Sequence, residues 1–465
     1  MSTQYMFQCK QLKAGLLCLA TLLLCAPAWA QKGWKAGAAR VSITPAQNMW
    51  MAGFASRTRA AEGKMHDLWA KALAMEDAQG KRVLLITSDL LGFPKNTSDR
   101  IRDALKTKFG LGRDQVMLNS SHTHSGPVIG EALSDIYLID KKQAALIDQY
   151  SAALEVSIIA LAGKALADLE PVELFVQNGV TRFQVNRRNN NAGLLPWISD
   201  LSGPNDYAVP VIKVVNAKGG VKAVAFGYAC HPTVLSGYEF SGDYPGFAQI
   251  ELEKTYPGAT ALFFQGAGAD QNPLPRGSVP LAKQYGKELA AAVERVMEED
   301  MRKLAPKITT AYAEVRLPYT DLPDEAKLTE LATNGIDGYP RRWAARMLAK
   351  VKKGEPRDKD YPYPVEVWQL GDQPVIGLGG ELVVEYSIKL KEIFGLNAFV
   401  MGYCNDVMSY IPSLRILREG GYEGNMACMV YGLPTAWSPE TETLILHEVV
   451  KLAKQAQIPL RTISL

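Results

Sequence analysis

Apolar and polar positions alternate along this chain in two rhythms. Arg82–Ser88 (RVLLITS) and Gln115–Asn119 (QVMLN) are nearly continuous apolar runs of strand length, the pattern of strands buried on both faces. Lys71–Glu76, Val172–Asn178, Val209–Asn216, Val221–Tyr228 and Ala261–Phe264 also read as strands, and Arg40–Ile43 begins an extended segment that Thr44-Pro45 ends. Helical spacing covers Asn96–Phe109, Phe247–Tyr256, Leu281–Met301 and the long Ala- and Leu-rich stretch Lys141–Leu169. Leu322–Tyr363 is charged and rich in Pro, Asp and Lys, and reads as an excursion of helices and loops. Strands Val365–Leu370 and Val375–Gly379, helix Val383–Phe394 and strand Ala398–Tyr403 follow. Ser409–Trp437 reads as loop and Thr441–Gln455 as a last helix. No internal repeat is visible, and the alternation predicts a mixed α/β fold.

The first 30 residues have a different pattern. Lys10 and Lys13 precede an apolar run, Ala14–Ala26, and Ala28-Trp29-Ala30 has the form of a small-residue cleavage site. The run is shorter than the roughly 20 residues a membrane span needs. We therefore expect a signal peptide over 1–30, export to the periplasm or the extracellular space, and one large catalytic domain over 31–465.

Composition adds little beyond this. The 465 residues are 47% hydrophobic and 21% charged, which excludes a disordered chain. A net charge of +3 gives no field for nucleic acid, and no nucleic-acid partner is expected. Beyond the leader only Cys230, Cys404 and Cys428 remain, so at most one internal disulfide can form.

The five histidines carry the chemistry. His122 and His124 lie in Ser120-Ser121-His122-Thr123-His124-Ser125-Gly126-Pro127, just past a buried strand. His231, in Tyr228-Ala229-Cys230-His231-Pro232, also follows a strand end closed by Pro. Strand ends opening into loops are where α/β enzymes place catalytic groups. A spacing of two puts both rings on one face of an extended chain, which suits a metal. The spacing alone suits a pair of solvent-facing or core histidines equally well. No His-Glu-x-x-His is present. His66 reads as pocket-lining or surface, and His447 as structural. Asp89 and Asp243 each read either as support behind the histidines or as turn carboxylates.

The segment Ser121-His122-Thr123-His124-Ser125-Gly126-Pro127 resembles the histidine motif of the neutral/alkaline non-lysosomal ceramidase family. Further resemblances follow in the family's order: Ala36–Pro45 with Met51-Ala52-Gly53-Phe54, then Asn186-Arg187-Arg188, Ala229-Cys230-His231-Pro232-Thr233, Gly379-Gly380-Glu381, and Asn405–Ser413. The resemblance implies a mixed-sheet single large catalytic domain. It implies Zn2+ held by His122, His231, Glu381 and Tyr410. His124 and Arg187 would face the substrate or the developing oxyanion, with Arg188 as the alternative to Arg187. Such a set leaves room for a water whose pKa zinc lowers to about 7. Without the resemblance, Glu381 reads as a helix N-terminal carboxylate and Tyr410 as core.

Two departures bear on the substrate. The turn Phe264–Pro273 resembles the family segment that carries a serine needed for ceramide cleavage, but it has none, and Gln271 stands at or next to that place. The chain also ends soon after Thr441–Gln455, so the family's C-terminal immunoglobulin-like domain is expected to be missing. The expected function is zinc-dependent hydrolysis of an N-acyl bond in ceramide or a related lipid amide, which leaves transient contact with a membrane surface open. The alternative is an ester or glycoconjugate substrate on the same scaffold.

Overall fold

The structure is a computed structural model that describes residues 33–197 and 199–461. The expected leader and its cleavage site lie outside the described residues. The remainder, Gly33–Leu465, forms one compact unit.

A nine-stranded sheet is the centre of the fold. Its strands are β1 (Trp34–Ser42), β2 (Trp69–Glu76), β3 (Arg82–Ser88), β4 (Val116–Ser120), β5 (Glu170–Val180), β6 (Ala208–Asn216), β7 (Val221–Tyr228) and β8 (Thr260–Gln265), with the short Arg302–Lys303 strand beside β5. They lie in the order β8-β7-β6-β5-β1-β2-β3-β4. The pairs β3–β4 and β7–β8 are parallel and the other pairings are antiparallel. A second sheet holds β9 (Ile308–Pro318), β10 (Asp360–Leu370), β11 (Gln373–Leu378) and, after the two-residue β12 (Glu381–Leu382), β13 (Phe399–Met401). Finally β12 pairs in parallel with β14 (Tyr410–Ile411).

Alternation along each strand decides the layers. In β3, Leu84 and Ile86 face α1 (Lys95–Phe109) and α2 (Lys141–Ala167), while Val83 and Leu85 face the second sheet. Likewise Phe226 and Phe263 face α3 (Asp243–Thr255) and α4 (Val279–Glu298), while Ala225 and Leu262 face Trp368, Val375 and Phe399. The far side of the second sheet packs on Ile445 and Val449 of the terminal helix Thr441–Gln455. The result is helix–sheet–sheet–helix layering. Each fully buried Val, Leu or Ile contributes about 1.5–3 kcal/mol relative to exposure. The runs read as strands buried on both faces, β3 and β4, lie at one end of the strand order and are covered by these layers on both sides. Helix α2 is long and apolar enough to cross a membrane by length and composition, but Ile147, Leu154, Ile158 and Leu161 seat it on the sheet.

The sheet curls until its two edges meet. The Asn119 carboxamide at the end of β4 closes the seam: its Oδ1 accepts from Gln265 N of β8 at 2.8 Å. Its Nδ2 donates to Gly402 O at 2.8 Å and more weakly to Gln265 O at 3.3 Å. One buried side chain thus fastens the ends of three strands, β4, β8 and β13.

Three expectations are corrected. Ile308–Pro318 was not expected as a strand; only Ile308, Ala311 and Leu317 are buried, at spacings that do not alternate, and Thr309, Thr310, Glu314 and Arg316 are at least partly exposed. The charged excursion holds helices Glu325–Asn334 and Tyr339–Lys352, but ends early, because Asp360–Tyr363 pairs with Val315–Pro318. The segment Ser409–Trp437 is structured: it carries β14, helices Leu414–Glu419 and Ala427–Val430, and a π-helical turn at Tyr422–Met426. These elements are too short for periodicity to show them. The three cysteines are buried and unpaired.

Candidate active site

The carboxyl ends of β4, β7, β8, β11 and β13 open towards one point. His122 follows β4 with φ of 64°, a left-handed conformation that is rare outside glycine. Tyr403, after β13, has φ of 55°. Backbone strain of this kind concentrates at functional sites. Gly380 has φ of 70°, and a Cβ there would lie 2.5 Å from Ile411, so only glycine lets β12 run close beside β14. That parallel ladder sets Glu381 directly beside Tyr410.

The ring orientations are fixed by carbonyls. His122 Nδ1 lies 2.6 Å from Leu91 O, and His231 Nδ1 lies 3.1 Å from Gly268 O. A carbonyl only accepts, so both Nδ1 atoms carry the proton and both Nε2 atoms present a bare lone pair. These lone pairs meet the Glu381 carboxylate: Oε2 is 3.2 Å from His122 Nε2 and 3.4 Å from His231 Nε2. His124 Nε2 is 3.2 Å from His122 Nε2. Neither His231 Nε2 nor Glu381 Oε2 has a hydrogen-bond donor, although both are buried. Bare acceptors crowded together out of water repel one another unless a cation lies among them. The ligand atoms of His122, His124 and His231 lie within 4.8 Å of one another, so the residues present fit a metal ion.

The electrostatics agree. Burial, then His122 and the arginines Arg57 and Arg187, hold His124 well below its ordinary pKa. Burial also pushes His231 down, with His122 and Arg187 adding to it. Both imidazoles are therefore neutral at neutral pH, the form that ligates metal. Burial would depress Arg187, but Tyr410 and Glu423 raise it well above its usual value. Arg187 Nη2 donates to Tyr410 Oη at 3.0 Å, and its Nε donates to Glu423 at 2.8 Å. The Tyr410 ring lies parallel to His231, 6.4 Å away. Gly53 forms a wall behind His124: a Cβ there would meet the imidazole at 2.5 Å, and Phe54 packs on the same ring at 4.7 Å.

The structure thus brings together His122, His124, His231, Glu381, Arg187 and Tyr410. Arg188 lies behind Arg187, tied to Glu423 and Glu419. Gln271 is placed differently from its expected role. It pairs with Asn186 in a short antiparallel ladder and is fully buried. Its amide is committed to the backbone at Ala229 O and Asp206 N, so it braces the loops instead of facing the converging groups. Asp89 accepts from Trp69 N of β2 and from Gln249 of α3, so it ties strand to helix, and Asp243 accepts from Leu235 N and Tyr244 N as a turn carboxylate. His66 bonds Ser241 and packs edge-on to Phe247, and His447 is exposed.

Sequence reasoning missed three residues. Tyr403 packs on His122 at 4.6 Å; it follows a strand end, the signal used for the histidines. Glu423 anchors both arginines from the stretch read as loop. Tyr431 donates its hydroxyl to Glu381 Oε1 at 2.6 Å. Replacing Tyr431 by Phe is expected to weaken metal affinity about 10–100-fold with little change in melting temperature. Titration of metal against the variant checks this, and an unchanged affinity would show that the bond is irrelevant.

Comparisons with known proteins identify the family and the fold. The sequence pattern of the family described as neutral/alkaline non-lysosomal ceramidase, N-terminal, matches residues 34–293, more than half of the chain. The neutral ceramidase of Pseudomonas aeruginosa is 24% identical over 489 aligned residues, covering 88% of this chain and 71% of that protein. Neutral ceramidase 1 of Arabidopsis thaliana is 25% identical over 229 residues, 47% of this chain and 28% of its own length. The crystal structure of the Pseudomonas aeruginosa enzyme superposes with a TM-score of 0.71 at 20% identity, over 93% of this chain and 76% of that one. The same layered fold and the matched sequence pattern make this chain a member of the neutral/alkaline non-lysosomal ceramidase family.

Proposed function

We propose that this chain is an exported zinc hydrolase that cleaves an N-acyl amide bond in ceramide or a closely related lipid amide. One observation carries the reading: Glu381 Oε2 lies 3.2 Å and 3.4 Å from Nε2 of His122 and His231, and neither it nor His231 Nε2 has a hydrogen-bond partner among the described residues. Two imidazoles, a carboxylate and the Tyr410 oxygen form a nitrogen-and-oxygen set that suits zinc. Family membership supports the amide, and the expected leader over 1–30 supports export.

Bound among those ligands, zinc would acidify a water and polarise the amide carbonyl. The chain's own groups do the rest. The Leu91 and Gly268 carbonyls lock His122 and His231 in the ligating tautomer. Arg187, held by Glu423, fixes the Tyr410 oxygen and keeps a permanent positive charge beside the carbonyl. Negative charge developing on the carbonyl oxygen is offset by Arg187 and by a hydrogen bond from the neutral His124 ring. Water adds its oxygen to the acyl carbon, the C–N bond breaks, and one water hydrogen ends on the leaving amine while the other stays with the carboxylic acid.

The test is metal content of the purified protein together with hydrolysis of a fluorogenic N-acylsphingosine. About one zinc per chain with turnover is the expected result. Zinc without turnover would move the substrate to an ester or glycoconjugate, the reading that the buried Gln271 favours. A metal-free protein with full activity would overturn the proposal.

A further inference from the structure

After Arg187 and Arg188 comes an exposed excursion: of the described residues 191–197 and 199–201, all are exposed but the half-buried Leu195. The buried Asn190 closes the base of this excursion. Its Nδ2 donates to Asn186 O at 2.9 Å and to Ser202 O at 2.7 Å, and its Oδ1 accepts from Ser202 N at 3.0 Å. The base is thus locked to the residues that line the active site, while the tip has the opposite character. Leu194 is 53% exposed, Trp197 84% and Leu201 52%. The only charged residue between Asn190 and Ser202 is Asp200. On the other side of Arg187, Tyr422 and Met426 flank Glu423 and are also exposed, and the Tyr422 ring sits 5.3 Å from Tyr410. Exposed apolar side chains thus lie close in sequence to both members of the Arg187–Glu423 pair. An exposed apolar cluster beside a site marks an interaction surface.

We infer that the Leu194–Leu201 loop is an interfacial anchor that seats the active-site mouth on a lipid surface; this rests on the lipid-amide reading above. Three features select a lipid surface over a protein partner. The loop shares its base with Arg187, so whatever holds the tip also presents the mouth to the same surface. A lipid amide with long chains resides in such a surface and reaches water only rarely. Trp with Leu neighbours, low charge and a locked base is the composition of a segment that lies at the headgroup–acyl boundary.

Tryptophan emission reports directly on the loop. Trp197 is the exposed one; the other described tryptophans are buried or, for Trp69, half-buried. On addition of phosphatidylcholine vesicles, wild-type emission shifts to the blue and the protein co-sediments with the lipid. The variant carrying Leu194→Ser, Trp197→Ser and Leu201→Ser co-sediments at least about tenfold less. It cleaves N-acylsphingosine embedded in vesicles correspondingly slowly, but a short-chain, water-soluble N-acyl substrate at the wild-type rate. Equal vesicle binding by variant and wild type, or wild-type emission that lipid leaves unmoved, overturns the inference. A change in oligomeric mass in the variant, with vesicle binding retained, overturns it in favour of contact between copies. Wild-type vesicle binding that depends on the loop, without hydrolysis of either amide, upholds the anchor and defeats the amide reading instead.

Discussion

Glu381→Gln strips the purified protein of its metal and lowers turnover by at least about 10³-fold, while its melting temperature stays close to wild type. The substitution keeps the shape of the side chain and removes its charge. Pairing of Glu381 with Tyr410 is made by the backbone, and the amide oxygen still accepts from the Tyr431 hydroxyl, so the local fold is retained. What disappears is the anionic oxygen 3.2 Å and 3.4 Å from two bare imidazole nitrogens. A metal acting on a carbonyl supplies several kcal/mol of transition-state stabilisation, so its loss gives a rate effect of this size. The checks are metal analysis, a melting curve and a rate on the same sample. Wild-type turnover in the metal-free variant would remove Glu381 from the reaction altogether.

The second large effect separates charge stabilisation from metal binding. Arg187→Lys lowers kcat by about 10²–10³-fold with metal content unchanged. The guanidinium uses its fork fully: Nε donates to Glu423, Nη2 to Tyr410 and Nη1, at 3.4 Å, to Asn272. A lysine ammonium is a point charge and cannot span that set. Glu423→Gln combined with Arg187→Lys costs less than the sum of the two single changes, because Glu423 acts only through Arg187 and its neighbour. Wild-type kcat in Arg187→Lys, or loss of metal along with the rate, would refute this division of labour.

The large sheet was legible in the sequence because its strands are buried on both faces: Arg82–Ser88 and Val221–Tyr228 match from end to end. The histidines were legible for the same reason, since each follows such a run and precedes Pro. Glu381 and Tyr410 were not legible from pattern. Each lies in a two-residue strand, and only the motif resemblance drew them into one set. Tyr431 and Glu423 gave no local signal at all. Their roles come from a segment folding back across the mouth, and only contacts distant in sequence define it. The strand Ile308–Pro318 was missed because its buried positions, Ile308, Ala311 and Leu317, do not follow a period of two.

The seam at Asn119 also joins two stretches of chain that lie far apart in sequence. His122, His124, Arg187 and His231 come first, all on the large sheet or its loops. Glu381 and Tyr410 follow about 150 residues or more after His231, on either side of β13, whose end Asn119 holds through Gly402 O. Without that second stretch an ion would meet three imidazoles and no carboxylate. A chain cut short before Glu381 is therefore expected to lack the carboxylate of the proposed metal set and to be inactive.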